Sequence, residues 1–262
     1  MTRRALLRRV SQGGIVGLLA LLPVLSVFKL DVIKGTLCSI GTAAFVVSCP
    51  LGVAQILLAT RTFDPWLALS GFFYVAVAFV LGRAFCGWVC PQGTLSEIGD
   101  RLRTRLGYRR VPDSPLAVRR SRMIGFSILG VVLATSFVVG VPLFCYICPI
   151  GLISRALVSG TIFGTVGGEL AILGLIITAE ISVARRGWCK YICPMGALYG
   201  ACVTPRSLRV ERNAEACQGC HTCEQVCPTG NSPIEDRVGS SCLSCGDCLD
   251  SCPEEAISFR LG

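Results

Sequence analysis

Arg83-Ala84-Phe85-Cys86-Gly87-Trp88-Val89-Cys90-Pro91-Gln92-Gly93-Thr94-Leu95 returns 103 residues later as Arg186-Gly187-Trp188-Cys189-Lys190-Tyr191-Ile192-Cys193-Pro194-Met195-Gly196-Ala197-Leu198. A second pair, Ser48-Cys49-Pro50-Leu51-Gly52 and Ile147-Cys148-Pro149-Ile150-Gly151, recurs at an offset of 99, each with a cysteine upstream, Cys38 and Cys145. Self-similarity at a long, near-constant offset marks a repeated structural unit. Each half reads helix, outer Cys-Pro-x-Gly turn, helix, inner C-x3-C-P-x-G, with the halves covering about 10–105 and 118–205. Two halves packed about a pseudo-twofold axis bring four cysteines together at each membrane face. The inner set is Cys86, Cys90, Cys189 and Cys193, and the outer set is Cys38, Cys49, Cys145 and Cys148. Four thiolates suit a cubane or a zinc ion, and the Pro and Gly after the last Cys turn the chain so that the sulfur points inward. The plainer reading is small buried residues at helix ends. For the outer set a disulfide is the main rival.

The rest of the chain says where this unit resides. It has 262 residues, 52% hydrophobic and 16% charged, with a mean hydropathy of +0.65, which does not fit a soluble protein. Charge-free stretches run over 10–28, 35–60, 65–82 and 123–154, with a last one near 161–183 that is interrupted by Glu169 and Glu180. The stretch 35–60 carries Cys38, Gly41, Cys49, Pro50 and Gly52, so it reads as a broken or re-entrant segment. Four transmembrane helices remain. Arg3, Arg4, Arg8 and Arg9, the nine arginines between Arg83 and Arg122, and Arg185, Arg186 and Lys190 then all fall on the cytoplasmic side. The chain is expected to be a multi-pass protein of the cell inner membrane with both termini in the cytoplasm. Thr2-Arg3-Arg4 resembles a twin-arginine signal, but no A-x-A-like site follows, so an uncleaved anchor is expected. One histidine, His221, excludes a bis-His haem, a three-His zinc site and a Ser-His-Asp triad. The net charge of +9 is topological rather than a nucleic-acid footprint, because no stacking aromatics interleave with the basic residues.

After Pro205 the hydrophobicity falls. Cys217-x2-Cys220-x2-Cys223-x3-Cys227-Pro228 is followed by Cys242-x2-Cys245-x2-Cys248-x3-Cys252-Pro253. This is the two-cluster ferredoxin run, in which the fourth Cys of each motif serves the other cluster. One [4Fe-4S] cluster is expected on Cys217, Cys220, Cys223 and Cys252, and the other on Cys242, Cys245, Cys248 and Cys227. Residues 207–210 and 256–260 read as flanking strands, giving a small α+β domain over 206–262 behind a membrane domain over 1–205. Cys217 to His221 also satisfies the C-x-x-C-H rule for c-type haem, but it shares its cysteines with the ferredoxin run, and His221 is assigned to a solvated loop. Cys202, the one cysteine left over, reads as a buried small residue.

The inner Phe85-Cys86-Gly87-Trp88-Val89-Cys90-Pro91 and Trp188-Cys189-Lys190-Tyr191-Ile192-Cys193-Pro194, with two ferredoxin motifs behind them, resemble the NapH/MauN family of membrane polyferredoxins, and the arrangement is similar to the membrane part of NosR. The resemblance covers nearly the full chain. It implies a four-helix membrane iron-sulfur protein that takes electrons from quinol and passes them to a partner redox protein, within a hetero-oligomer. The partner would be periplasmic or cytoplasmic. The outer cysteines are not part of the matched motif.

Iron-sulfur clusters move single electrons whereas quinol gives two and releases protons. Quinone is therefore expected to bind near a membrane cluster, with Glu169 on the outer side and Glu180 on the inner side as candidate proton acceptors and Asp64 as a third. The competing placement for each is interfacial, in water. A different class of function, as an iron-sulfur assembly or maturation factor or a redox sensor, fits the same cysteines.

Overall fold

The computed structural model describes residues 2–27, 34–36, 39–41, 46–107, 115–162, 164, 167–183, 185–204, 206–234 and 241–261. Cys38 lies outside the described residues. The first half contains helix α1 (Arg3–Val27), strands β1 (Lys34–Thr36), β2 (Ser39–Gly41) and β3 (Val46–Ser48), and helices α2 (Pro50–Thr60), α3 (Pro65–Leu81), α4 (Ala84–Trp88) and α5 (Pro91–Arg105). The second contains α6 (Pro115–Val139), α7 (Phe144–Ile147), α8 (Pro149–Ile162), α9 (Glu169–Ser182), a π-helical turn (Trp188–Ile192) and α10 (Pro194–Cys202). The tail has β4 (Arg209–Arg212), α11 (Thr222–Val226), α12 (Asp247–Asp250) and β5 (Ile257–Arg260).

Packing between the halves follows the sequence repeat. Helix α2 packs on α3 as α8 packs on α9, α1 packs on α4 and α5 as α6 packs on the π turn and α10, and across the halves α5 meets α9 as α10 meets α3. The long helices cross over in the same way, α1 onto α8 and α6 onto α2. The long helices α1 and α6 and the pairs α5–α9 and α3–α10 thus join the two halves.

The four Cys-Pro units share one local form. Cys49, Cys90, Cys148 and Cys193 each stand before a helix-opening proline with extended ψ values of 129, 122, 126 and 109 degrees. The proline ring bars its predecessor from helical angles, while its own fixed φ and missing N–H suit the first helical turn. The glycine two residues later has a separate cause. A Cβ on Gly93 would sit 2.2 Å from the carbonyl oxygen of Cys86, and one on Gly151 would sit 2.6 Å from that of Cys145. At Cys86 and at Cys145 the first cysteine's carbonyl thus lies over the new helix, and only glycine leaves the room.

Among the described residues one helix, Leu116–Val139, is long and apolar enough to cross a membrane, while Pro50–Thr60 and Pro65–Leu81 are shorter apolar helices. The 123–154 stretch divides at Gly140, whose φ is +72 degrees, and the 161–183 stretch is helical in α9 only from Glu169. The 35–60 stretch is broken, as expected, but into a three-stranded antiparallel sheet, β1-β2-β3, ahead of α2. In the tail, β4 and β5 pair antiparallel with Arg209 opposite Arg260, so the entering strand starts two residues later than its apolar pattern suggested. Val210, Cys223, Leu249 and Ile257 form the small core beneath them.

Candidate iron-sulfur sites

The tail cysteines line two separate cavities. One is bounded by Cys217, Cys220, Cys223 and Cys252, with Ile234 and Ile257 beside them. The other is bounded by Cys227, Cys242, Cys245 and Cys248, with Val210 and Leu243. The fourth cysteine of each run faces the cavity of the other. The backbone N–H of Asn231 donates to the Cys227 sulfur at 3.3 Å and that of Ser244 to the Cys242 sulfur at 3.4 Å. Left-handed residues His221, Ser244 and Gly246 bend the loops around these cavities. His221 is exposed and its Nδ1 lies 2.9 Å from Glu224 Oε2.

Burial pushes the Cys248 thiol up to about 12 and that of Cys223 to about 11. Thiols so placed ionise only against a bound cation. Among the described residues no three His, Cys, Asp or Glu side chains come close enough to share a single metal ion. Four cysteines set apart around a cavity fit a multinuclear cluster, whose several iron atoms each take one thiolate, better than one tetrahedral zinc.

The inner set also converges. Cys90 is close enough to Cys86, Cys189 and Cys193 for their charges to interact, although these residues come from both halves of the chain. On the outer side Cys145 is within the same reach of Cys49 and Cys148, and all three are free thiols. One relation departs from the expectation of two sites at opposite faces. Cys193 of the inner set interacts with Cys148 of the outer set, and buried Tyr199 faces both Cys49 and Cys86. The two groups are neighbours, far closer than the ~30 Å thickness of a hydrocarbon core. The helices between Cys148 and Cys193, α8 and α9, are only 14 residues each and pack on one another.

The tail is bolted to the inner loop. The Trp88 indole N–H donates to the Ser244 carbonyl at 2.9 Å, and Arg8 donates to the Cys245 carbonyl at 2.9 Å. Gly87 is part of the same contact, because a Cβ there would fall 2.7 Å from the Leu243 carbonyl oxygen. Arg185 donates to the Cys227 carbonyl and to both carboxylate oxygens of Asp100. Gln12 reaches the Gly87 carbonyl and Glu97, tying α1 and α5 into the contact. The sequence marked Trp88 as part of a motif and Arg8 and Arg185 as topological charges, but not these contacts, because the partners lie far away in the chain.

The acids separate by environment. Glu180 is 7% exposed, accepts from Ser96 Oγ at 2.6 Å and from the Trp188 N–H at 3.1 Å, and lies beside Cys189. Glu169 opens α9, where a carboxylate complements the helix dipole, and its Oε2 is buried without a hydrogen-bond partner. Asp64 caps α3, accepting from the N–H groups of Trp66 and Leu67. Cys202 is buried with Ala78 and Tyr199.

Comparison with known proteins places these features. A family described as "4Fe-4S binding domain" matches residues 63–109, 121–163 and 166–201, and a second family of the same description matches 210–231. The chain is similar to the ferredoxin-type protein NapH of Haemophilus influenzae, at 31% identity over 96% of this chain and 88% of that one. It is 31% identical to NapH of Escherichia coli over 77% of this chain and 71% of that one. To the methylamine utilization ferredoxin-type protein MauN of Methylorubrum extorquens it is 32% identical, over 74% and 66% respectively. No solved structure matches.

Proposed function

Because the chain belongs to the family of ferredoxin-type proteins that contains NapH and MauN, we propose that it is a membrane-bound iron-sulfur electron-transfer subunit working between the quinone pool and a partner redox protein. Cys217, Cys220, Cys223 and Cys252 would hold one [4Fe-4S] cluster, Cys227, Cys242, Cys245 and Cys248 a second, and Cys86, Cys90, Cys189 and Cys193 a third. Cys38, Cys49, Cys145 and Cys148 are the donor set for a fourth. Such clusters, when bound, supply one-electron transfer, and quinol supplies electrons in pairs with protons.

The observation that carries this reading is the stacking of the quartets. The second tail quartet rests on the inner loop through Trp88, Gly87 and Arg8, and Cys193 of the inner set is close enough to Cys148 of the outer set for their charges to interact. The chain's own residues then have distinct work. Trp88, Arg8 and Arg185 hold the tail in place, and apolar Leu243 and Val210 screen the second cavity from water. Glu180, buried next to the inner set, is the proton acceptor on that side, with Glu169 its counterpart at the other end of α9.

The spans in this reading are α1, α3, α6 and α9, of which α6 is the longest apolar one. Arg3, Arg4, Arg8 and Arg9 at the start of α1 and the arginines of α5 support a cytoplasmic side for both termini and the tail. A hetero-oligomer with a partner oxidoreductase completes the route. The test is to reduce the purified detergent-solubilised protein without oxygen and add a soluble quinone analogue. Rapid reoxidation supports the reading, and a reduced spectrum that persists with every quinone tried contradicts it.

A further inference from the structure

The two arginines that open the repeated motif, Arg83 and Arg186, hold equivalent places in the halves and are both almost fully buried, at 8% and 3% exposure. An isolated buried guanidinium is costly unless negative charge lies close by. Glu97 and Glu180 offset part of the Arg186 charge. The nearest to Arg186 is Glu97, whose Oε2 lies 4.0 Å from Nη2, and Nε and Nη1 of Arg186 are buried with no hydrogen-bond partner.

What both arginines do face is cysteine. Each is close enough to interact with Cys86 and with Cys189, one inner cysteine from each half. In the other direction Arg83 faces Cys242 and Arg186 faces Cys245, both of the second tail quartet. Arg83 also crosses between the halves, its Nη2 donating to the Cys189 carbonyl at 3.2 Å. That approach depends on Gly196, where a Cβ would lie 2.5 Å from the same nitrogen. Arg186 is held in a left-handed backbone conformation, φ +48 degrees, which a non-glycine residue adopts at a cost. Glu180, Glu97, Asp100 and Asp247 are the acids on this side, Asp247 acting on Cys245 itself, whereas the first tail quartet is faced by Glu224 and Glu254.

We propose that Arg83 and Arg186 form a paired cationic bridge between the inner cysteine quartet and the second tail quartet, stabilising added negative charge on both and so raising their affinity for an electron. Fixed positive charge favours the more negative, reduced form of a nearby iron-sulfur centre. The bridge rests on the reading of these quartets as cluster ligands.

The experiment compares wild type with Arg83→Gln, Arg186→Gln and Arg186→Lys as full-length protein purified without oxygen, by iron and sulfide content and by a redox titration followed by electron paramagnetic resonance. In either Gln variant the inner and second-tail signals should show about a tenfold lower ratio of reduced to oxidised centre at fixed potential, equal to about 59 mV for a one-electron couple. The first-tail signal should not move, and Arg186→Lys should titrate like wild type. Iron-replete Gln variants with unchanged titrations overturn the bridge, as does an equal shift of all signals. If a Gln variant loses iron, retention of iron and native potential by Arg186→Lys supports the bridge, and loss from both overturns it. Wild type with iron only in the tail fails the cluster reading itself, a result separable from failure of the bridge.

Discussion

The indole N–H of Trp88, between two inner cysteines, donates to the carbonyl of Ser244, between two tail cysteines, at 2.9 Å. One hydrogen bond thus joins two motifs that are 156 positions apart in the chain. The tail and the repeated portion meet along the loops that carry the cysteines, so disturbing the contact should uncouple the two without emptying either.

Trp88→Phe keeps the ring and removes the donor, a loss of about 1 kcal/mol. Amide exchange of the 241–252 segment should quicken while iron content stays at the wild-type level. Gly87→Ala should act more strongly, because its Cβ would meet the Leu243 carbonyl oxygen at 2.7 Å and backbone cannot swing aside as a side chain can. Unchanged exchange in both variants would remove this contact from the account.

Crossed ligation makes a second prediction. Cys227→Ala should cost the cluster signal whose other ligands are Cys242, Cys245 and Cys248, and Cys252→Ala the signal belonging to Cys217, Cys220 and Cys223. Spectra of the two variants should each lack a different tail signal, with about four iron atoms lost each time. If each substitution removes the cluster of its own run, the assignment is reversed.

The glycines of the inner turns should be intolerant. Gly93→Ala puts a methyl 2.2 Å from the Cys86 carbonyl oxygen, so the Cys86–Cys90 turn must open. The expected result is loss of the inner signal with both tail signals intact, whereas Gly174→Ala in α9, where nothing lies within 4 Å, should be silent. Equal behaviour of the two would show that the turn has no special geometry.

Glu97 provides a pH test. Burial raises its carboxyl, but Arg8, Gln12 and Arg186 outweigh that and hold it below the usual carboxylate range. Its folded value is therefore below the unfolded one of about 4.3, so its stabilisation is complete above that pH and disappears as pH falls through the folded value. Glu97→Gln should lower the midpoint of thermal unfolding near neutrality, by an amount on the order of 3 kcal/mol for a buried pair with Arg8, and should flatten the acid limb of the profile. A variant with the wild-type acid limb would assign that limb to other carboxylates.

Much of this was legible because local chemistry wrote it into spacing. The two tail runs dictated their own cavities, and the Cys-Pro pairs dictated where α2, α5, α8 and α10 begin. What spacing could not reveal was distance across the chain. The apolar stretches suggested two cysteine sets a membrane apart, yet the two fourteen-residue helices α8 and α9, packed on one another, leave Cys148 and Cys193 close enough for their charges to interact. Likewise Arg8, Arg83 and Arg186 read as topological charges, and only the folded chain turns them toward the cysteine loops. Glu169 read as an interruption of a span and instead opens α9, since the glycines at 164, 167 and 168 end the apolar stretch before it.

The most direct measurement is the ratio of iron and acid-labile sulfide to protein in the chain purified without oxygen. At about four iron atoms per cluster, the inner quartet together with the two tail quartets predicts about twelve, and about sixteen if the outer cysteines also ligate. A value that stays at about eight after full reconstitution would leave Cys86, Cys90, Cys189 and Cys193 without a cluster, and the route through the membrane portion would be contradicted.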